Sequence, residues 1–273
     1  MRPVVEKELL HYNILYILDK HELLNQLTFQ GGTSLRLCYG GQRFSEDLDF
    51  AGGKNFKTEQ LMEMSKCLEQ YIGERYLLDI LVKTPKDLLD EVSHGGIKVN
   101  TWQIRVVTAP ARKDIPKQMI KIKVANIPFY TREIRRLQSN YEFLPDGYGD
   151  TLIGVESLNE IMADKLISFP QCQKYIRYRD IWDLQWLKKQ GATPNFELIA
   201  NKINDYGIQN YKETVKTMMS RLPDIIHGKA FHSEMSRFIL MDVQERTLKK
   251  EKFYLFLETE FNELFNSVSM HTT

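Results

Sequence analysis

Cysteine is scarce in this sequence. The 273-residue chain has three, Cys38, Cys67 and Cys172, far apart and without a C-x-x-C. That pattern argues against a disulfide framework or a zinc site and fits a reducing compartment. Long apolar runs are missing too: no stretch approaches the roughly 20 residues needed to span a bilayer, and the opening MRPVVEKELLHYNILYILDK lacks the apolar core of a signal peptide. A charge excess of either sign is also lacking. Thirty-seven Lys and Arg offset 36 Asp and Glu, for a net charge of +1. No global basic field therefore announces nucleic acid, although a local basic face can sit inside a balanced total. Internal repeats and low-complexity tracts are absent as well. The expectation is a cytoplasmic protein with no membrane partner.

What remains is the composition of a globular chain, 42% apolar and 27% charged. Its 14 Phe, 13 Tyr and 3 Trp can fill a sizeable core, and the length favours two domains. Over residues 4–27, Leu9, Leu10, Ile14, Leu15, Ile17 and Leu18 recur at helical spacing, which predicts one or two helices. LTFQ reads as a short strand running into Gly31-Gly32, TSLRLCY as a short helix, DLDFA as an alternating strand and KTEQLMEMSKCLEQYI as a helix. From 76 to 136 the pattern turns to strands: YLLDILVK, GIKVNTWQIRVVTA and QMIKIKVANIPF are rich in β-branched and aromatic residues. Gly95-Gly96 and the Pro110/Pro116 region punctuate them. SNYEFLPDGYGDTLIG reads as a turn-rich crossing at a domain boundary. Beyond it nearly everything reads helical, with Gly191 closing a helix after Lys188 and Lys189 and NSVSMHTT as a frayed tail. The predicted class is α+β: a mixed sheet with flanking helices over 1–150, then a helical domain over 151–273.

The chemistry is concentrated between Phe29 and Phe50, FQGGTSLRLCYGGQRFSEDLDF. In an extended strand, residues i and i+2 share a face. Asp47 and Asp49 should therefore point one way, and Leu48 and Phe50 into the core. Two like charges side by side repel. A magnesium ion removes the conflict, because it takes hard oxygen ligands and needs only one or two protein carboxylates beside substrate phosphates. A glycine turn that ends at a helix N-terminus offers backbone N–H groups to a phosphate. Each signal alone is weak, since D-x-D is common at strand ends and G-G is commoner still. Together, in this order, they suit phosphoryl or nucleotidyl transfer.

This segment resembles the first motif of the polymerase-β-like nucleotidyltransferase superfamily. More narrowly, Gly31, Gly32, Thr33 and Leu35 followed by Arg43, Ser45, Asp47, Leu48, Asp49 and Phe50 resemble the AbiEii/AbiGii-type toxin nucleotidyltransferases. Two later blocks are similar to the same family: Ala163, Asp164, Lys165 and Leu166, and then Arg179, Asp180, Asp183 and Leu184. The resemblance implies a donor nucleoside triphosphate held by Gly31, Gly32, Thr33, Ser34, Arg43 and Ser45. It implies Mg2+ or Mn2+ on Asp47 and Asp49, Lys165 steadying the triphosphate, and Asp180 or Asp183 positioning the acceptor hydroxyl. It also implies that the helical domain contributes to the active-site cleft, that the acceptor is the 3′ end of a tRNA, and that a cognate antitoxin restrains the protein. The residues by themselves allow blander roles: Lys165 facing solvent, Asp180 or Asp183 in an ion pair with Arg177 or Arg179, and Arg43 and Ser45 merely fixing a loop.

One position departs from the superfamily pattern. Where a third carboxylate is expected on the strand QMIKIKVAN, alternation places Lys123. Three outcomes follow: another acid such as Asp79, Asp180 or Asp183 substitutes, two carboxylates and a base suffice, or the site is degenerate. The segment from Arg112 to Arg136, with Arg112, Lys113, Lys117, Lys121, Lys123, Arg132, Arg135 and Arg136, reads either as an RNA-binding strip or as solvated surface. The leading expectation is a metal-dependent nucleotidyltransferase toxin. The alternatives are a non-catalytic nucleotide- or RNA-binding module of the same fold, and transfer to a small molecule or protein.

Overall fold

The computed structural model describes residues 2–88, 92–94, 97–109, 111, 114 and 117–271. Gly95-Gly96, Pro110, Pro116, Arg112 and Lys113, all used above, lie outside the described residues. The chain divides into two compact units, Met1–Glu156 and Ser157–Thr273.

The first unit is built on one mixed sheet. In chain order its elements are α1 (Arg2–Lys20), β1 (Thr28–Gln30), α2 (Gly31–Tyr39), β2 (Leu48–Ala51), α3 (Met64–Tyr76), β3 (Ile80–Lys83), α4 (Pro85–Leu88), β4 (Val92–His94), β5 (Ile97–Val106), β6 (Gln118–Ala125), β7 (Glu133–Arg136) and β8 (Leu152–Val155). The strand order is β3-β5-β6-β2-β1-β8-β7, and β4 also pairs with β5. β1 and β8 run parallel, as do β2 and β6, and the other pairs are antiparallel. One face of the sheet is the core. Phe29, Leu48, Phe50, Trp102, Ile104, Ile120, Ile122 and Val155 are buried there together with Ile14, Leu18, Leu68 and Ile72 from α1 and α3. Phe29 and Phe50 stack across β1 and β2 with centroids 4.9 Å apart. The short helix α2 is clamped to α1 by a bidentate Arg36–Glu8 pair at 2.9 and 3.0 Å, with Glu8 buried.

Three strands, β4, β7 and β8, fall outside the stretches read as strands. β7 carries one apolar residue, Ile134, which is exposed, and β8 has four residues including Gly154. An edge strand with a polar surface has no alternation to read. Because β8 hydrogen-bonds to both β1 and β7, the first unit runs to Glu156 rather than to the expected residue 150.

The second unit is helical: α5 (Leu158–Gln171), α6 (Tyr178–Lys189), α7 (Phe196–Asp205), α8 (Tyr211–Ser220), α9 (Leu222–His227), α10 (Lys229–Phe238), α11 (Met241–Arg246) and α12 (Glu251–His271). The hydroxyl of Ser157 caps α5 by accepting from the Glu160 amide. Pro170 lies inside α5 and has no N–H for the Leu166 carbonyl; the buried Tyr211 hydroxyl donates to that carbonyl instead, at 3.0 Å. Gly191 does terminate α6, in the left-handed region at φ +85°. Residues 266–271 of the expected frayed tail are instead the last turns of α12, where Val268 is buried and the His271 ring stacks on Phe196 at 4.1 Å; 272–273 lie outside the described residues.

Candidate active site

β2 carries Asp49, and Asp47 stands one residue before its start. Leu48 and Phe50 are buried, while the side chains of Asp47 and Asp49 keep 31% and 37% of their surface exposed. Both carboxylates reach one cation. Lys123 Nζ lies 2.7 Å from Asp47 Oδ2 and 3.6 Å from Asp49 Oδ1. The pairing is fixed by the backbone, since Asp49 and Lys123 are register partners on β2 and β6. The Lys121 amide donates to Asp47 Oδ1 at 3.2 Å. Burial acts to raise the Asp47 carboxyl; the Lys123 charge and the hydrogen bonds from Lys123 and the Lys121 amide outweigh it and hold the group below the usual carboxylate range. Burial likewise acts to lower the Lys123 ammonium, and Asp49 and Asp47 together raise it.

On the other flank of β2 stands β1, whose Gln30 is the register partner of Asp49 and the residue preceding α2. Gly31 opens α2 at φ +78°, a conformation that L side chains rarely adopt. A Cβ at Gly31 would sit 3.6 Å from Asp49 Oδ2, so the missing side chain leaves room beside the carboxylate. No side chain caps the first turn of α2, and its amides are of the kind that bind phosphate. The hydroxyls beyond point inward: the buried Thr33 donates to the Asp47 carbonyl, and the buried Ser34 to the Gly31 carbonyl at 2.8 Å. Thr33 thus ties the helix start to the strand that carries the acids. Arg43 and Ser45 are buried in the intervening loop, where Arg43 donates to the Phe44 carbonyl at 2.7 Å. His11 of α1 supports the same loop. Its Nε2 lies 3.0 Å from the Glu46 carbonyl, and because a carbonyl only accepts, this nitrogen carries the proton. Burial pushes the imidazole down to about 4. Neither the Lys121 amide nor His11 had a motif to announce it.

The donor set suits a hard divalent cation: two carboxylates side by side, already bridged by one positive charge. Among the described residues no group of three His, Cys, Asp or Glu side chains could hold a metal, so the site is a two-carboxylate site with a lysine beside it. Asp79 does not supply the third acid. It precedes β3, three strands from β2, beyond the end of the ladder where Ile80 partners Val106 and Val106 partners Gln118, whereas Asp49 is level with Lys123.

In the second unit the three remaining site residues come together. Lys165 on α5 lies 2.8 Å from Asp180 Oδ1 and 2.7 Å from Asp183 Oδ2 on α6, all three buried. Ser168 Oγ donates to Asp180 Oδ2 at 3.1 Å, and Arg177 Nε lies 2.5 Å from the same oxygen. Burial acts to raise Asp180; Lys165 and Arg177 overcome it and hold the carboxyl far below the usual range. Lys165 therefore does not face solvent, and the blander pairing of Asp180 with Arg177 is present. Arg179 turns elsewhere, to Glu234 at 3.6 Å and over the Phe238 ring.

The basic stretch does not form one strip. Lys121 and Lys123 sit on β6, on the face that carries the acids, whereas Arg135 and Arg136 lie on β7 and Arg132 just before it. Four interstrand steps, roughly 19 Å, separate β6 from β7. Arg132 spreads its guanidinium over Gly154 and donates to the Asn25 carbonyl at 3.1 Å. Arg135 stacks on Tyr39 and pairs with Glu133 at 2.8 Å.

No helix among the described residues is long and apolar enough to cross a membrane. Among solved structures, the chain is similar to a Helicobacter pylori protein proposed to be a nucleotidyltransferase. That match has a TM-score of 0.51 and 19% identity and covers 99% of this chain and 98% of the other. It is also similar to MenT4, a nucleotidyltransferase toxin of Mycobacterium tuberculosis, with a TM-score of 0.49 and 18% identity over 99% and 94% of the two chains. At such identity the first likeness speaks for the fold alone. A search of curated proteins finds no match. The model of the family "Nucleotidyl transferase AbiEii toxin, Type IV TA system" matches residues 13–266, a span that contains the G-G turn, both aspartates, Lys123 and the Lys165 cluster. The chain belongs to the AbiEii nucleotidyltransferase toxin family of type IV toxin–antitoxin systems.

Proposed function

We propose that this protein is a divalent-metal-dependent nucleotidyltransferase that moves a nucleoside monophosphate from a nucleoside triphosphate to the 3′ end of a tRNA in the cytoplasm, and that a cognate antitoxin restrains it. The observation that carries the reading is the pair of partly exposed carboxylates, Asp47 and Asp49, on one strand face against the side-chain-free start of α2. In the reaction the acceptor oxygen bonds to the α-phosphorus, the α–β anhydride breaks and pyrophosphate leaves. Asp47 and Asp49 would hold Mg2+ or Mn2+, which supplies charge stabilisation at the α-phosphate and the leaving pyrophosphate. The amides of Gly31, Gly32 and Thr33 would hold the donor phosphates, and Thr33 and Ser34 keep that turn in place through their inward hydroxyls. Arg43 and Ser45 hold the loop that delivers Asp47. Lys165, Asp180 and Asp183 are assigned to phosphate and acceptor handling on the motif match alone. Asp180, held so far down, is a poor proton acceptor and fits a positioning role.

The test uses purified protein, each of the four α-labelled nucleoside triphosphates, Mg2+ or Mn2+, and total cell RNA with protein extract, beside Asp49→Asn. Label in a tRNA-sized band, only with metal and only in the wild type, supports the proposal. Label in protein or a small molecule keeps the chemistry and discards the tRNA acceptor. A folded sample that binds RNA without labelling anything points to a non-catalytic binding module, the reading favoured by the engagement of both acids with Lys123.

A further inference from the structure

We infer that Lys123 is a positioning residue that makes metal binding at Asp47 and Asp49 depend on the nucleotide, so that the cation enters as a metal–triphosphate complex rather than alone. The inference rests on the nucleotidyltransferase reading above and adds the order in which its ligands assemble.

The argument is one of charge. Two carboxylates carry −2, and Lys123 returns +1 from a position fixed by strand register. Its Nζ already occupies the space between the acids, 2.7 and 3.6 Å away. A bare divalent cation must displace the ammonium from Asp47 and then tolerate it a few ångströms off, a like-charge contact in a site that is about two-thirds covered. Among the described residues no third acid of a metal cluster is present to absorb the displaced charge. A triphosphate removes the difficulty because it arrives with anionic oxygens of its own. The lysine stem is flexible and its head carries three donors, and a third of the side chain is exposed, so Nζ can move from a carboxylate to a phosphate oxygen. The uncapped start of α2 beside Asp49 favours the same anion. Metal alone leaves the two acids and the lysine with a net positive charge and the ammonium facing the cation; the triphosphate turns that balance negative and gives the ammonium a phosphate oxygen to pair with.

Mn2+ retained by the full chain in equilibrium dialysis, taken as the excess over a protein-free chamber holding the same nucleotide, tests this without turnover. Titrations are run with Mn2+ alone and with non-hydrolysable analogues of the four nucleoside triphosphates. The proteins compared are wild type, Lys123→Met, Lys123→Gln and Asp49→Asn, each checked for fold by circular dichroism. The wild type should bind Mn2+ alone weakly and much more tightly with a nucleotide analogue. Lys123→Met should bind Mn2+ alone at least about tenfold more tightly, as expected when one charge is removed beside a partly exposed site, and should lose most of the nucleotide dependence. Lys123→Gln should follow it, and Asp49→Asn should lose binding in both conditions. Equal affinity of wild type and Lys123→Met for Mn2+ alone overturns the inference, even if transfer activity is present. Coupled Mn2+ and nucleotide binding with no transfer to any acceptor sinks the transferase reading and leaves the coupling standing. No Mn2+ binding by any protein, with or without nucleotide, overturns both.

Discussion

Replacing Lys165 by Met should destabilise the second unit strongly and in a pH-dependent way. Lys165 Nζ holds two buried carboxylates, Asp180 and Asp183, at 2.8 and 2.7 Å, with side chains 3% and 5% exposed. Methionine keeps most of the volume and removes the charge. Two acids three residues apart on α6 then face each other in a poorly solvated place. Arg177 still reaches Asp180, but it is half-exposed and screened. Removing one partner of a buried pair costs roughly 3–5 kcal/mol, a large share of the roughly 5–15 kcal/mol that holds a typical domain together. The pH dependence follows from linkage. In the wild type the Asp180 carboxyl is depressed, so its stabilisation is present above the unfolded value near ~3.9 and is lost as pH falls through the folded one. In the variant, burial and mutual repulsion raise the proton affinity of the acids, so the penalty shrinks on acidification. Urea unfolding of wild type and Lys165→Met, followed by circular dichroism at pH 5 and pH 8, measures both. A midpoint shift that is large at pH 8 and smaller at pH 5 is expected, with unchanged slope. A loss under about 1 kcal/mol at pH 8, or the same loss at both pH values, would refute the buried-pair argument. Inactivity of a Lys165 variant therefore says nothing about chemistry until its fold has been checked at the assay pH.

Two further outcomes follow from the geometry. Gly31→Ala should cost about 1–2 kcal/mol, because the residue sits at φ +78° while its new Cβ would clear Asp49 Oδ2 by 3.6 Å; Gly31→Asn should cost less in the same denaturation assay. His11, held neutral by burial, with Lys7 adding to the depression and Glu46 and Asp47 opposing it, titrates at about 4 in the fold against 6.5 free. Its contribution is complete above pH 6.5 and declines to nothing by pH 4, for about 3 kcal/mol in all. In His11→Gln, which can still donate to the Glu46 carbonyl, the unfolding midpoint should lose that part of its slope between pH 6.5 and 4; an unchanged slope would mean that the imidazole is hydrated.

Which faces carry the candidate site's charges was readable from the sequence. Period-2 alternation alone placed Asp47 and Asp49 on one face with Leu48 and Phe50 in the core, and the same rule put Lys123 on a face of its own strand. The i, i+3 spacing put Asp180 and Asp183 on one side of α6. What escaped was whatever had no local signature. β7 and β8 are short, and one is an exposed edge. The Lys121 amide acts through the backbone, and His11 touches a carbonyl 35 residues away. The helical end of the chain was missed because a polar terminal segment reads as frayed unless a contact such as Phe196 with His271 is known.

The sequence by itself determined the family, the two-part architecture and which residues carry charge on which face, because side-chain direction follows from local periodicity. Tertiary structure decided which charges meet. Strand register across 74 residues brings Lys123 opposite Asp49, and the strand order parts Lys121 and Lys123 from Arg135 and Arg136, which the sequence had run together. Helix packing buries Lys165 between two acids. Pairing energies depend on distance and burial, and neither is written in the order of the residues.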